Sequence, residues 1–347
     1  MTEAKAAVEL VVPDVRKRSG SWGHACGRIW GREAHLFGRG GLDRLYGAET
    51  VDDVRRLLLE HQYPQEDTVA QSVAAEHRDT YALIDDIMPD DVYMLALLLP
   101  ADGHNIKVCL KQSLREGDRP IEDVAAMFRH PARLEAASLH AYIVEGERDT
   151  DLEPWAIAVI ARAREAYKEA YDVASIDRSV DRDIHELLRR LAADAKAPWL
   201  AEVLATERDL INLETLLRGR HRKVSAAVYE ATLLPEGKLS HTDWAELFSA
   251  DRATLTLRLR ETPYAPLVDH IETYGQRGGP SLFARDRDRL LMDAYARGTR
   301  VFTGPERVVA YVKARACEFK NIRIVMAGLV DGIEHETIVS LRRDFGS

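Results

Sequence analysis

Three carboxylates stand three residues ahead of an asparagine in the same setting. They are Asp102-Gly-His-Asn105-Ile106, Asp209-Leu-Ile-Asn212-Leu213 and Glu318-Phe-Lys-Asn321-Ile322. A carboxylate and a carboxamide at this spacing share one face of a helix. Such a pair could polarise a substrate and move a proton, but it would need a nucleophile or a base recurring beside it, and none recurs here. The other chemistry is a hydrogen-bond node. Asparagine is a poor helix former, so propensity does not explain its place in the middle of three apolar helical stretches. A buried carboxamide needs several partners, and the neighbouring carboxylate can accept from its amide. The residue types therefore point to structural nodes at Asp102, Asn105, Asp209, Asn212, Glu318 and Asn321, each tying its helix to a nearby segment.

The spacing says what must position them. Asn105 and Asn212 are 107 residues apart, and Asn212 and Asn321 are 109 apart. A near-constant period means one structural unit used repeatedly. A second anchor keeps step: Leu42-Asp-Arg-Leu45 before Tyr63, Ile121-Glu-Asp-Val124 before Tyr142, and Trp244-Ala-Glu-Leu247 before Tyr264. Breakers near residues 117 and 237 separate the units. The expected organisation is an N-terminal arm over 1–20 and helical repeats over 21–116, 117–236 and 237–347.

At 347 residues the chain is long enough for two or three domains. Charged residues make up 30% and hydrophobic residues 46%, as in folded soluble proteins. A net charge of −9 disfavours binding nucleic acid by bulk attraction. Cys26, Cys109 and Cys317 have neither disulfide nor metal spacing, which fits a reducing compartment. The N-terminus lacks a basic-then-apolar signal pattern. The apolar runs Val92–Pro100 and Ile324–Val330 fall short of the ~20 residues that cross a bilayer, so any membrane association is expected to be peripheral.

Helical signals dominate from Trp22 onward. Stripes run through Trp155–Tyr171, Asp177–Leu191 and Arg285–Arg297, and Pro198 and Pro305 stand at helix starts. In the first repeat Pro100 and Gly103 are expected to split the helix before Asn105 into two pieces. Residues 1–20 are expected to be a weakly ordered arm, with Val8–Pro13 as an extended docking strand the alternative.

Catalytic motifs are missing. There is no phosphate-cradling G-x-x-x-x-G-K-[ST], no H-E-x-x-H and no G-x-S-x-G. No catalytic, cofactor-binding or metal-ligating residue is therefore expected. One basic run follows the second node, at Arg218, Arg220, Arg222 and Lys223. It either complements the end of a helix dipole or offers a contact to an acidic partner surface or anionic headgroups.

These residues resemble the C subunit (called d in eukaryotes) of V/A-type rotary ATPases and ATP synthases. The resemblance is clearest in Gly304-Pro-Glu-Arg-Val-Val-Ala-Tyr311, Glu318-Phe-Lys-Asn321-Ile-Arg-Ile-Val325 and Leu329 to Gly332. Asn212-Leu-Glu-Thr-Leu-Leu-Arg218 is similar to the family's middle repeat, and Asn105-Ile-Lys107 to its first. The resemblance implies an all-α fold of three similar helical domains in a pseudo-threefold funnel. It also implies a non-catalytic central-stalk component with no cofactor, seated peripherally on the cytoplasmic side of the membrane. Its partners would be the shaft subunits of the soluble ATPase head and the proteolipid rotor ring. The alternative is a soluble helical-repeat scaffold that binds another protein.

Overall fold

The structure is a computed structural model that describes residues 9–115, 117 and 120–346. Among these residues the fold is all-α, with no strand beyond one isolated bridge between Lys17 and Asp90. The helices are α1 (Trp22–Glu33), α2 (Gly38–Tyr46), α3 (Val51–Glu60), α4 (Val69–Ile87), α5 (Asp91–Ser113) and α6 (Ile121–Ala125). Next come α7 (Ala136–His140), α8 (Pro154–Ala170), α9 (Ala174–Asp194), α10 (Pro198–Arg222), α11 (Ala226–Glu230) and α12 (His241–Ser249). The rest are α13 (Arg252–Arg260), α14 (His270–Thr273), α15 (Gly279–Ala296), α16 (Pro305–Asp331) and α17 (His335–Ser340).

Internal contacts group the chain into two compact units. One comprises residues 9–17, Asp90–Arg208 and Thr232–Glu236; the other comprises Arg18–Pro89, Asp209–Ala231 and residues 237–346. The first boundary inside a helix falls within α10, between Arg208 and Asp209. The three sequence repeats are divided differently, at 117 and 237.

In the first unit, α5, α8 and α9 pack together around Ile106, Leu110, Trp155, Val159, Ile160, Ile184 and Leu187. α5 runs unbroken through Pro100, which corrects the expectation of two pieces. Proline forfeits one helical hydrogen bond. Burial on several sides holds the helix together regardless: Leu95, Leu99, Ile106 and Cys109 are all core residues. Gly103 serves that packing, because a Cβ there would lie 2.7 Å from Ile184 Cγ1 on α9. The glycine marks a close approach between helices rather than a break.

The N-terminal segment over 9–17 is extended and docked rather than frayed. Leu10 is buried in the first unit's core, Arg190 donates to its carbonyl at 3.0 Å, and the Asp91 N–H donates to the Arg16 carbonyl. Residues 1–8 lie outside the described residues.

In the second unit α16 is the central element and packs against α1, α2, α3, α4, α15 and α17. Pro305 opens it at the first helical position and Gly332 ends it in the left-handed conformation. Phe319, Ile322 and Val325 on α16 join Leu45, Leu57, Leu58 and Val73 in one core. Short helices are fixed by local caps. Thr50 with Asp53 and Ser240 with Asp243 form reciprocal capping boxes for α3 and α12.

Candidate functional site

All six node side chains are buried: Asp102, Asn105, Asp209, Asn212 and Asn321 are 0% exposed and Glu318 is 6%. At each node the carboxylate meets the start of a short helix. Asp102 Oδ1 accepts from the N–H groups of Arg133 and Leu134, both at 2.9 Å, just before Glu135 caps α7. Asp209 Oδ2 accepts from the N–H groups of Lys238 and Leu239 at 2.7 and 3.2 Å, just before Ser240 caps α12. Glu318 Oε1 accepts at 2.5 Å from the N–H of Phe37, which caps α2. An acidic group at a helix start satisfies N–H groups that no helical carbonyl can reach.

Asn105 and Asn321 hold backbone too. Asn105 Oδ1 accepts from the Arg129 N–H at 2.8 Å, and its Nδ2 donates to the Arg129 carbonyl at 3.0 Å. Asn321 repeats this with Arg343, at 3.0 and 2.7 Å. In both cases the carboxamide imitates a strand partner and saturates one residue's backbone. Asn321 Oδ1 also accepts from Tyr46 at 2.7 Å, and its Nδ2 also donates to the Cys317 carbonyl. The carboxylate three residues earlier does not accept from the amide in either node, contrary to the expectation. The two side chains hold different residues instead: Arg133 and Leu134 against Arg129 in the first node, Phe37 against Arg343 in the third.

Tyrosines complete two nodes. Tyr264 donates to Asp209 at 2.6 Å and Tyr63 to Glu318 at 3.1 Å. Tyr142 does not play this part: its ring faces the guanidinium groups of Arg148 and Arg164. In the middle repeat the anchor tyrosine therefore has a different role from Tyr63 and Tyr264. There the helix that meets the carboxylate is α7, whereas the anchor Ile121–Val124 lies on α6.

Burial raises all three carboxyl groups above the ordinary carboxylate range, against the hydrogen bonds they accept. Asp102 reaches about 7. Around Glu318 a further buried cluster was not anticipated. Arg315, 1% exposed, pairs with Glu318 at 2.9 Å and Glu76 at 3.2 Å and lies over the Tyr63 ring. Its only sequence signal is its place three residues before Glu318. Arg343 is held at both ends, since its side chain donates to Asp288 at 2.8 Å. Burial disfavours charge on Asp288, but Lys320, Arg287 and Arg343 outweigh it and keep the carboxyl below its ordinary value.

In the basic run Arg218, Arg222 and Lys223 are exposed and Arg220 is half-buried. Arg220 is spent inside the fold, donating to the carbonyls of Phe248 and Ala250 at the end of α12. Arg218 donates to Glu214 at 2.8 Å. Among the described residues no three His, Cys, Asp or Glu side chains gather as a metal set, and no helix is long and apolar enough to cross a membrane.

Buried nodes of this kind hold segments in place. Comparison with known proteins agrees with the pattern seen in the residues. The model of the ATP synthase (C/AC39) subunit family matches residues 25–341. The C subunit of the V-type sodium ATPase of Enterococcus hirae is 21% identical over 306 residues, covering 86% of this chain and 91% of the relative. The C subunit of the A-type ATP synthase of Methanocaldococcus jannaschii is 22% identical over 195 residues, which is 55% of this chain and 47% of the relative. With the match spanning all three nodes, the chain belongs to the ATP synthase (C/AC39) subunit family.

Proposed function

We propose that this protein is the non-catalytic rotor subunit that joins the central shaft of a V/A-type ATPase to its membrane ring. It would pass torque between ATP chemistry in the soluble head and ion movement in the membrane, and would sit peripherally on the cytoplasmic face. The family match over residues 25–341 carries this proposal. The nodes support it physically. Buried, reciprocal hydrogen bonds resist shear, because each must break before a segment can slide. A stiff, close-packed helical body is what a torque coupling needs.

In the same proposal the three repeats form three similar domains around a pseudo-threefold axis, with the shaft received in a funnel between them. The exposed pair Arg222 and Lys223 is the part of the basic run left for a partner, with Arg218 and Arg220 bracing it. An affinity-tagged chain expressed with the other subunits should bring down both shaft subunits and the proteolipid ring from gently solubilised membranes. Recovery of neither, with a folded chain, would refute the rotor role and leave a scaffold for some other protein.

A further inference from the structure

Asp102 differs from its two counterparts by a donor it lacks. Asp209 has Tyr264, and Glu318 has Tyr63 and Arg315, in addition to backbone N–H groups. Among the described residues Asp102 has the N–H groups of Arg133 and Leu134, both on Oδ1, and its Oδ2 is buried without a hydrogen-bond partner; Asp209 also keeps one bare oxygen, Oδ1, but there Tyr264 adds a third donor to Oδ2. An ionised carboxylate with one bare buried oxygen is costly, and a neutral carboxyl there is far less so.

We propose that Asp102 is a proton-operated latch on the Arg129–Leu134 segment, closed while its carboxyl is neutral and loosened once it ionises. The segment has two attachments to α5. Asn105 holds the Arg129 backbone whatever the pH, and Asp102 holds Arg133 and Leu134. Opening the second attachment lets water reach Oδ2, so ionisation favours the open form.

The surrounding charges leave Asp102 as the group that changes. Arg133 and Glu153 face it and are bonded to each other, so they oppose one another. On the α9 side Lys107 is paired with Asp181, and burial depresses His185. His104, next but one along α5, is depressed mainly by burial too. His140, which leads into the following π-helical turn, is paired with Glu145. Burial lifts Asp102 from 3.8 to about 7. A group raised on closing supports the closed state fully below its open-state value, and that support is lost as pH climbs to the raised value. The latch therefore weakens between about pH 4 and 7 and is level above.

The test is amide hydrogen exchange at Arg133 and Leu134 from pH 5 to 8, corrected for intrinsic exchange, in the wild type and in Asp102→Asn. In the wild type the opening constant should rise by up to roughly tenfold per pH unit below 7 and then flatten. Asparagine keeps an accepting oxygen without a titrating proton, so the variant should give a flat profile. A flat wild-type profile would overturn the latch, as would the same slope in the variant, which would assign the effect to another group. Should the variant not fold, the carbon-13 shift of the Asp102 carboxyl in the wild type decides the matter. A midpoint near 7 supports the latch, and one near the ordinary value of about 4 refutes it.

Discussion

Asn321 and Arg343 hold each other in both directions: the carboxamide oxygen takes the Arg343 N–H at 3.0 Å and the amide nitrogen gives to the Arg343 carbonyl at 2.7 Å. Asn105 does the same to Arg129 in the other compact unit. Replacing Asn321 with Leu orphans both backbone groups and the Tyr46 hydroxyl. The expected cost is about 1–3 kcal/mol per orphaned group. Thermal melting should show a lowered transition, and Asn105→Leu should act similarly. An unchanged melting temperature in both would show that the nodes are idle.

The tyrosines should divide. Tyr264→Phe and Tyr63→Phe each remove a donor from a buried carboxylate, at an expected cost of about 1–3 kcal/mol. Tyr142→Phe removes no hydroxyl contact to Asp102 and should cost much less. Equal losses in denaturant titrations of all three variants would contradict the unequal completion of the nodes.

How far the sequence reached can be judged at the nodes themselves. The repeat spacing identified six buried polar residues, because a polar side chain recurring inside an apolar helical stripe is carried into the core with it and must find its hydrogen bonds there. Their partners were not legible. Asn321 binds Arg343 through its backbone, which leaves no trace in residue type. The split expected at Pro100 failed because propensity acts locally, whereas Leu99, Ile106 and Cys109 are held by core packing around them. The different role of the middle tyrosine was not legible either. Periodicity found an apolar turn at Ile121–Val124, but the helix that meets Asp102 begins after Glu135. In the basic run, sequence could not separate Arg220, consumed by carbonyls, from exposed Arg222 and Lys223.

Arg315 neutralises two buried carboxylates, Glu76 and Glu318. Arg315→Met should cost about 3–5 kcal/mol, since it strands buried charge. Both carboxyls already stand above their ordinary value through burial, and losing the cation raises them further. Raised carboxyls are stabilising when protonated, so the penalty should shrink on acidification and grow as pH rises. A penalty that does not vary from pH 5 to 8 would contradict the burial of these charges.

Neutralising Arg222 and Lys223 together should leave the stability of the isolated chain within about 0.5 kcal/mol of the wild type, as for exposed charges. Arg220→Ala should destabilise it, because three carbonyls near the end of α12 lose their donor. If the exposed pair meets a partner, its removal should weaken assembly with the ring or shaft, with the deficit largest at low salt. Normal assembly at every ionic strength would reduce the pair to a helix-end decoration.

The rotor role is tested most directly by removing this chain from the assembled ATPase and adding it back while measuring ATP hydrolysis and ATP-driven ion transport in the same vesicles. Without the chain, the soluble head should hydrolyse ATP with no transport, and purified protein, which should hydrolyse no ATP by itself, should restore coupling. Transport that continues undiminished without the chain would contradict its place between shaft and ring.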